Sequence, residues 1–374
     1  MSRRVVALLL VMALVLGFAA VGAGCGSTKN FKVGIITGTV SQGEDEYRAA
    51  ERMKAKYGDR VVTATYPDNF MAEMETYISI VKGMAKDRSV KAIVICQAVP
   101  GTKAAIEQVR KTRKDIVFLL GVPHEDPKMI DKAAEVIVNT DELARGKTII
   151  ALAKQMGAKT FVHYSFPRHM SMELLAQRRD IFREECQKAG IQFVDATAPD
   201  PMGPSGLPGA QQFILEDVPR MVAKYGKDTA FFSTNCGMQE PLIKATLQAG
   251  GIFPEQCCPS PTHGYPGALG IDVAGLSYDF PAIVKAVDAK IVAGNGAGRF
   301  ATWPVPINFL MVQAETELAF DYIDKKITKF DDATVKAKFE ELAGVPMNFS
   351  KYSPDGTFYL CTAGSIIFGK LPNK

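Results

Sequence analysis

Short apolar runs alternate along the chain with segments whose apolar residues recur at helical spacing. Residues 91–95 consist of one lysine followed by Ala, Ile and Val only. Such continuity is typical of a strand that helices cover on both faces of a parallel sheet. In residues 71–86 the apolar positions Met74, Ile78 and Val81 follow a spacing of four and three, which predicts an amphipathic helix. The alternation of the two patterns predicts an α/β fold.

The same alternation occurs before and after residue 140. We expect two doubly wound, Rossmann-like lobes joined by a hinge of several chain crossings, which together form a clamshell. The predicted strands are residues 31–36, 61–65, 91–95, 116–120, 135–138, 160–163, 191–194, 229–232, 271–274, 358–361 and 366–368. Lobe 1 is expected to contain residues 31–140 and about 304–330, and lobe 2 residues 141–303 and about 331–374.

The N-terminal residues resemble the export signal of a bacterial lipoprotein. Two arginines precede an uncharged apolar stretch at residues 5–21, and small residues surround Cys25. A charged start, an apolar stretch and a small-residue cleavage site are the parts of a signal peptide. We expect a signal peptide at residues 1–24, lipidation of Cys25 (palmitate), a tether at residues 25–30 and an anchor on the extracytoplasmic face of the cell membrane. An uncleaved signal anchor is the alternative, and it would place the domain on the same side.

Composition and charge narrow the class of partners. Of 374 residues, 47% are hydrophobic and 22% are charged, with a formal net charge of +4. Residues 1–24 contain two arginines and no acidic residue, so the rest of the chain carries +2. A charge so close to balance provides no electrostatic footprint for nucleic acid, and we expect no nucleic-acid partner. We expect a monomer that binds a small molecule.

The cysteines leave several arrangements open. Seven are present, and six remain once Cys25 is assigned to the anchor. Export permits disulfides, but the sequence cannot choose among the pairings. Cys96 lies in an apolar run and is expected to be a buried thiol, whereas Cys236 could pair with Cys257 or Cys258. No CxxC pair occurs and the four histidines show no ligand spacing, so we expect neither a metal nor a cofactor.

Several stretches resemble the type I solute-binding proteins of bacterial ABC importers, of the sugar-binding and basic-membrane-lipoprotein kind. The resemblance covers about residues 31–330 and includes the strand at 33–36, the stretch 90–102, and residues 139–141 with Gly146. It implies a clamshell that captures a small polar ligand, such as a sugar or a nucleoside, and delivers it to an ABC permease. It also implies that the protein is not an enzyme.

Candidate ligand contacts follow from the expected topology. In open α/β sheets ligands bind beyond the carboxyl ends of the strands, and both lobes of a clamshell direct these ends into the cleft. The candidates are Thr39, Ser41, Gln42, Tyr66, Gln97, His124, Tyr164, Phe166, Arg168, Asn235, Tyr278, Asp279 and Trp303. Further positions at the same strand ends are Thr37, Asp68, His169 and Thr234. Thr39 and Ser41 also suit helix capping, and Phe166 and Trp303 also suit packing at the hinge.

Two other functions are considered. A ligand sensor that docks to a membrane receptor would use the same fold and the same cleft. An exported hydrolase would have to use side chains such as Ser165, His163 and Asp195, but no Gly-x-Ser-x-Gly elbow is present. The sequence therefore favours a binding lipoprotein without catalytic residues.

Overall fold

The computed structural model describes residues 31–276 and 278–371, excluding the side chain of Gln42. The predicted signal peptide and tether, with Cys25, lie outside the described residues. The strands are β1 (Lys32–Thr37), β2 (Val61–Thr65), β3 (Val90–Ala98), β4 (Val117–Pro123), β5 (Val136–Thr140), β6 (Thr160–Ser165), β7 (Gln192–Thr197), β8 (Thr229–Ser233), β9 (Ala301–Thr302), β10 (Met347–Lys351), β11 (Phe358–Ala363) and β12 (Ile366–Ile367).

The α-helices cover most of the remaining chain. They are α1 (Val40–Tyr57), α2 (Met74–Ala85), α3 (Thr102–Arg110), α4 (Pro127–Ile130), α5 (Glu142–Gln155), α6 (Pro167–Met170), α7 (Glu173–Ala189), α8 (Gly206–Tyr225), α9 (Gln239–Ala249), α10 (Tyr265–Leu269), α11 (Phe280–Ala293), α12 (Ile307–Ile323) and α13 (Asp332–Ala343). Among the described residues, no helix has both the length and the hydropathy needed to cross a bilayer.

In the described part of the chain, seven strands form the sheet of lobe 1 in the order β10-β11-β5-β4-β3-β1-β2. β10 pairs antiparallel with β11, and the other neighbours pair in parallel. β3 lies inside the sheet, and all its residues except Lys91 and Gln97 are buried. The apolar run at 91–95 therefore belongs to a strand that is covered on both faces, as expected.

Helices cover both faces of this sheet. On one face Val33 and Ile35 share a core with residues of α1 and α12, such as Met311. On the other face Ile36 shares a core with residues of α2 and α3, such as Ile78. Neighbouring residues of β1 thus face opposite layers, as the period of two in a strand requires. Two apolar layers around one parallel sheet confirm the predicted α/β class.

The sheet of lobe 2 is smaller. Within residues 31–276 and 278–371 it consists of three parallel strands in the order β7-β6-β8, which a single bridge between Ala230 and Ile252 extends. The predicted strand at 271–274 is wrong, because this segment is a turn. Asp272 Oδ1 accepts a hydrogen bond from the Gly275 N–H at 3.0 Å. Such a local side-chain bond competes with extended backbone.

The C-terminal residues correct the expected lobe boundary. We expected residues 331–374 to join lobe 2, but β10 and β11 complete the sheet of lobe 1 beside β5. The reason is burial, since Phe339 of α13 and Met347 of β10 lie in the same core as α12. The chain returns to lobe 2 only after β11, where β12 pairs with β9.

A close contact between two helices of lobe 2 brings charged side chains together. At Gly146 of α5, an added Cβ would stand 2.7 Å from Cγ2 of Ile181 on α7. Only a glycine permits this approach, because real Cβ contacts are not so short. The contact lets Glu142, at the start of α5, form an ion pair with Arg178 of α7.

Candidate functional site: the cleft between the lobes

A cleft lies between the carboxyl ends of the parallel strands of the two lobes. It contains about 830 Å³ of empty space, including the part that is open to solvent. Lobe 1 contributes Gly38, Tyr66, Asp68, Phe70, Gln97, Val122, Pro123, His124 and Asn139. The other side consists of Glu142, Arg168, His169, Met172, Leu175, Arg178, Met202, Thr234, Asn235, Cys236, Cys257 and Cys258. Small-molecule sites mix apolar walls with a few polar groups in this way.

A second groove is larger but chemically less suited to a polar ligand. It lies between α11, α12 and α13 and contains about 2280 Å³ of empty space, including open solvent. Its lining is mostly apolar and includes Phe280, Phe309, Leu342 and Leu371. Because few polar groups converge there, the cleft is the candidate site.

The most unusual side chain of the cleft is Arg178. It is only 1% exposed, and its Nη1 forms an ion pair with Glu142. Its Nε and Nη2 have no hydrogen-bond partner among the described residues. The guanidinium lies over the ring of Phe232, with Cζ 4.7 Å from the ring centroid. A buried donor without a partner costs about 1–3 kcal/mol, and a charged one costs more.

Glu142 is the shared acceptor of this region. Thr140 Oγ1 donates to its Oε1 at 2.6 Å, and Arg145 Nη1 donates to the same oxygen at 3.2 Å. Burial opposes the charged form, but the guanidinium groups of Arg178 and Arg145 outweigh it and lower the pKa of Glu142. Glu142 therefore remains a carboxylate that holds Arg178 in place.

Two histidines in the cleft are held in the neutral form. Burial and the nearby charge of Arg168 lower the pKa of His124 to about 4. The same two causes bring the pKa of His169 well below its ordinary value. His169 Nδ1 lies 3.0 Å from Thr234 Oγ1, which lies 3.0 Å from Ser165 Oγ. At neutral pH each imidazole therefore offers one donor and one acceptor rather than a positive charge.

Arg168 has its charge balanced by an acid. Its Nε and Nη2 donate to the two carboxylate oxygens of Asp200, both at 2.8 Å. This two-point pairing fixes the plane of the guanidinium. The Arg168 Cζ also lies 5.1 Å from the centroid of the Phe166 ring. Arg168 thus shapes the cleft wall as part of a neutral pair.

The wall of lobe 1 presents aromatic rings and amides. Tyr66 meets Phe70 edge to face, with 6.0 Å between the ring centroids. Gln97 Nε2 donates to Glu46 Oε1 at 2.9 Å, and Asn308 Nδ2 donates to the same oxygen at 2.7 Å. Burial is the main cause that raises the pKa of Glu46 to about 7. These contacts hold Gln97 at the strand end, where it lines the cleft.

Three cysteines of the cleft lining lie beside a histidine. Cys236 Sγ is 3.3 Å from Cys257 Sγ and 3.5 Å from Cys258 Sγ, and all three thiols are free. His263 Nε2 is 3.9 Å from Cys257 Sγ. Burial opposes ionisation of Cys257, but hydrogen bonds from the other two thiols and the charge of Arg145 bring the pKa of Cys257 well below its ordinary value. The three sulfurs lie close together, as the disulfide considered for Cys236 requires, but all three are free thiols in the structure. The sequence pattern did not place His263 beside them.

Five of the candidates taken from strand ends line the cleft. They are Tyr66, Gln97, His124, Arg168 and Asn235, together with the further positions Asp68, His169 and Thr234. Asn235 Oδ1 also accepts a hydrogen bond from the Gly237 N–H at 2.9 Å and so caps the short 3-10 helix Cys236–Met238. Residues that follow β2, β3, β4, β6 and β8 thus meet in one place, as the strand-end rule requires.

Three other candidates are not part of the cleft lining, although the Thr39 hydroxyl donates to the lining residue Asp68. Thr39 caps α1 by accepting a hydrogen bond from the Ser41 N–H at 3.3 Å, and Ser41 is exposed. Tyr164 donates to Asp217 Oδ2 of α8 at 2.8 Å, so its hydroxyl is already committed. The alternation of side chains along β6 carries Tyr164 into the interior of lobe 2 rather than into the cleft.

Four more candidates also lie outside the cleft lining, and the side chain of the last candidate, Gln42, lies outside the part of the chain that the structure describes. Phe166 and Trp303 are each 1% exposed, and Trp303 Nε1 donates to Glu255 Oε2 at 2.8 Å. Asp279 caps α11 through its side chain, and Tyr278 occupies the preceding turn with φ of 53°. Because the segment before this turn is not a strand, the strand-end rule does not apply to Tyr278 and Asp279.

Comparison with known proteins identifies the family. A family model described as "Protein of unknown function (DUF3798)" matches residues 31–301. The chain belongs to the DUF3798 family. Two relatives from Treponema pallidum (strain Nichols), both described as uncharacterized proteins, are 35% identical to this DUF3798 chain. One aligns over 215 residues, which is 58% of this chain and 97% of the relative, and the other over 187 residues, which is 48% and 85%.

Solved structures share the fold of this DUF3798 protein. A protein from Clostridium difficile 630, named as a candidate transcriptional regulator, has a TM-score of 0.73 at 23% identity and covers 90% of this chain and 99% of its own. The substrate-binding protein of a sugar ABC transport system from Bordetella parapertussis 12822 has a TM-score of 0.55 at 12% identity, covering 90% and 88%. A periplasmic solute-binding protein of an ABC transporter from Actinobacillus succinogenes 130z, solved with D-allose, has 0.53 at 15% identity, covering 79% and 92%. These likenesses confirm the predicted type I periplasmic-binding-protein fold.

The rule that ligands bind at strand ends did not identify the buried ion pair between Arg178 and Glu142 in the DUF3798 cleft. Arg178 lies on α7 among Leu174, Phe182 and Cys186, which are buried and spaced by four residues. A charged residue within an otherwise apolar helix stripe is the signal that could have identified it. Glu142 carries a weaker signal, since an acid in the first turn of a helix usually serves the helix dipole alone.

Proposed function

We propose that this DUF3798 protein is a solute-binding protein that captures a small polar ligand in the cleft between its lobes. The observation that carries the proposal is Arg178, a buried guanidinium in the cleft lining with two nitrogens that have no partner among the described residues. A ligand oxygen at these nitrogens would satisfy donors that the folded chain leaves without acceptors. The fold shared with two proteins described as ABC solute-binding proteins supports the same function.

The charges around the cleft favour a neutral ligand rich in hydroxyl groups. Arg178 and Arg145 are paired with Glu142 and Glu255, and Arg168 is paired with an aspartate. Both cleft histidines are neutral at neutral pH because their pKa values are lowered. The remaining polar groups are amides, hydroxyls, thiols and the carboxylate of Asp68, which can accept hydrogen bonds from ligand hydroxyl groups, with aromatic rings beside them. A sugar or a nucleoside suits such a lining, because it offers many acceptors and an apolar face.

The anchor and the transport partner complete the proposal. Acyl chains on Cys25 would hold the domain at the extracytoplasmic face of the cell membrane. There the closed clamshell would present its ligand to an ABC permease. This part of the proposal is supported by the charged, apolar and small-residue pattern of residues 1–25 and by the resemblance of the fold to importer-associated proteins.

Ligand binding is tested with the full chain in detergent, after unfolding and refolding to remove any bound solute. A thermal-shift panel contains D-allose, other hexoses, nucleosides, amino acids and inorganic anions. We expect a sugar or nucleoside to stabilise the protein at micromolar concentration, and Arg178→Met to weaken its affinity about 50-fold or more, which corresponds to about 2.3 kcal/mol. The matched control Arg179→Met changes the neighbouring arginine, whose ion pairs among the described residues are with Asp180 and Asp195 outside the cleft. Equal binding by both variants, or no stabilising solute in the panel, would count against the proposal.

The anchor is tested separately by metabolic labelling with palmitate and by detergent phase partition. We expect the wild-type chain to incorporate label and Cys25→Ser to lose it. Cys186→Ser is the control, because this thiol is buried in α7. If Cys25→Ser still enters the detergent phase and the wild type carries no label, the chain has a signal anchor and lipidation is wrong.

A further inference from the structure

Cys236, Cys257, Cys258 and His263 bring four soft or borderline ligands together beside the cleft. The ligand atoms of Cys236, Cys257 and His263 all lie within 4.8 Å of one another, and Cys258 Sγ lies 3.5 Å from Cys236 Sγ. Thiolate sulfur and imidazole nitrogen are the ligands that zinc takes in proteins. We infer that these four side chains bind a divalent ion of the zinc class, with Cys258 in the fourth coordination position.

The distances fit one shared ion. Tetrahedral zinc, with bonds of about 2.3 Å to sulfur and 2.0–2.1 Å to nitrogen, separates two sulfurs by about 3.8 Å and sulfur from nitrogen by about 3.6 Å. The corresponding separations are 3.3 Å for Cys236 and Cys257 and 3.9 Å for Cys257 and His263. Each differs from the ideal by about half an ångström or less, which side-chain rotation can supply.

Buried side chains hold the loop that carries three of the ligands. Arg145 Nη1 donates to the Cys257 carbonyl at 2.9 Å, and Nη2 donates to the Gln256 carbonyl at 2.7 Å. The Gln256 Nε2 donates to the carbonyls of Ser260 at 2.7 Å and His263 at 3.1 Å. The backbone on both sides of the cluster is therefore fixed without metal. Supporting contacts of this kind orient the ligands of metal sites.

The same loop connects the lobes. Ser260 Oγ and Thr262 Oγ1 donate to the carboxylate of Asp45 on α1, at 2.7 Å and 2.6 Å. Cys236 follows β8, so a shared ion would link the end of this lobe 2 strand to the loop that contacts lobe 1. Three of the four ligands line the cleft, which gives an ion a path from solvent. The inference does not depend on the proposed solute, since Arg178 is not among the metal ligands.

The test is zinc binding by the full chain, extracted in detergent under anaerobic, reducing conditions and without added solute. After removal of metal with a chelator, we expect one Zn²⁺ per chain by elemental analysis and competition with a chromophoric chelator. We expect Cys236→Ala, Cys257→Ala and His263→Ala each to weaken zinc affinity at least 100-fold. Cys186→Ala is the matched control, since it removes a buried thiol far from the cluster in sequence and should leave affinity unchanged.

Cobalt replaces zinc as a spectroscopic probe of the ligands. We expect thiolate-to-cobalt charge transfer with tetrahedral d–d bands, and a charge-transfer intensity reduced by about a third in Cys258→Ala, because two of three thiolates would remain. An unchanged spectrum in Cys258→Ala would overturn the fourth-ligand assignment. Circular dichroism of each variant separates lost ligation from lost folding.

Two results would overturn the metal site as a whole. One is a reduced, folded chain that binds no zinc in the competition assay. The other is a Cys236–Cys257 or Cys236–Cys258 disulfide, mapped by mass spectrometry in chain alkylated at the moment of extraction. Neither result bears on Arg178, whose unpaired nitrogens carry the solute-binding proposal, so the two proposals fail independently.

Discussion

Two buried arginines at opposite strand ends differ in how completely their donors are satisfied. Arg113 lies at the amino ends of β3 and β4 and is 4% exposed. Its Nη2 donates to the Val90 carbonyl at 2.7 Å, its Nη1 donates to the Asp87 carbonyl at 3.1 Å, and its Nε donates to Asp115 at 2.9 Å. Arg178 lies at the carboxyl ends and has an ion pair at Nη1 alone, with Nε and Nη2 unpartnered among the described residues.

The difference separates a structural role for Arg113 from the binding role proposed for Arg178. A guanidinium whose nitrogens all bond to carbonyls and a carboxylate stabilises the fold around it. One that keeps two nitrogens without acceptors weakens the fold, and the ring of Phe232 offsets only part of that cost. Ligands of parallel sheets bind at the carboxyl ends, which is where the unsatisfied arginine lies.

The largest expected effect is the loss of stability when Arg113, the fully hydrogen-bonded arginine, is replaced. Arg113→Met removes the donors to three carbonyls and leaves Asp115 with fewer partners, so we expect a loss of about 3–5 kcal/mol in unfolding free energy. Urea denaturation at neutral pH measures it, with Arg88→Met as a nearby control. Solute affinity of the folded fraction should not change. A loss below about 1 kcal/mol would show that the Arg113 contacts are not structural.

The second largest expected effect is on the pH dependence of stability, because the cleft keeps the His124 imidazole uncharged. The pKa of His124 is lowered to about 4 from an ordinary value near 6.5, so the unfolded chain binds more protons between these values. Stability from this group is complete above about pH 6.5 and is lost as the pH falls towards 4. We expect His124→Gln to reduce the stability lost on acidification from pH 7.5 to 4 by about 3 kcal/mol.

Glu46 provides the internal control for this pH experiment. Its raised pKa of about 7 makes stability fall as the pH rises through the same range, which is the opposite direction. This contribution is the same in the wild type and in His124→Gln, and it cancels in the comparison. Parallel stability profiles for the two proteins would mean that the unfolding reaction does not involve a change in His124 protonation.

The third prediction concerns a contact between the lobes. Both carboxylate oxygens of Asp45, in lobe 1, accept hydrogen bonds from Ser260 and Thr262 of the loop in lobe 2 that carries the cysteine cluster. Asp45→Ala should cost about 1–2 kcal/mol and increase the radius of gyration in X-ray scattering, since the lobes lose a shared contact. Asp59→Ala is the control, as its carboxylate is fully exposed. An unchanged radius of gyration would show that other contacts keep the lobes together.

The smallest expected effect is the change in stability when Arg178, the arginine with unpaired donors, is replaced. Arg178→Met removes two donors that have no partner among the described residues, and it also removes the ion pair from Nη1 to Glu142, which keeps Thr140 and Arg145. The relief of the two unpaired donors offsets the loss of this ion pair. We expect a change in unfolding free energy within about 1 kcal/mol, against the much larger loss for Arg113→Met. Urea denaturation without solute measures it. A loss equal to that of Arg113→Met would mean that Arg178 mainly stabilises the fold, and it would remove the main support for the cleft as a binding site.

Much of the fold could be predicted from local pattern. The strand expected at 61–65 has the bounds of β2, and the helix expected in residues 71–86 contains α2. Apolar continuity and helical spacing are local properties of the sequence, so they predict strands and helices regardless of how the lobes pack against each other. The strand expected at 271–274 was wrong because a side-chain bond from Asp272 closes a turn there, and apolar content alone does not reveal it.

The candidate site was predicted less completely. Strand ends located Tyr66, Gln97, His124, Arg168 and Asn235, because topology alone brings those positions to one edge. The rule could not predict that the Tyr164 hydroxyl donates to Asp217 inside lobe 2, because the face of the sheet on which a side chain lies depends on its position in the strand. Arg178 and the cysteine cluster come from a helix stripe and a loop, for which no strand-end rule exists.

The sequence by itself determined the alternation of strands and helices, the α/β class and the edge of the sheets at which polar residues gather. Spacing between neighbours in the chain is enough for each of these. Only the tertiary structure decided that β10 and β11 join lobe 1 and that Cys236 meets Cys257 and His263. It also decided which buried arginine keeps unpaired donors. These outcomes depend on contacts between residues distant in the chain, whose distances local periodicity does not specify.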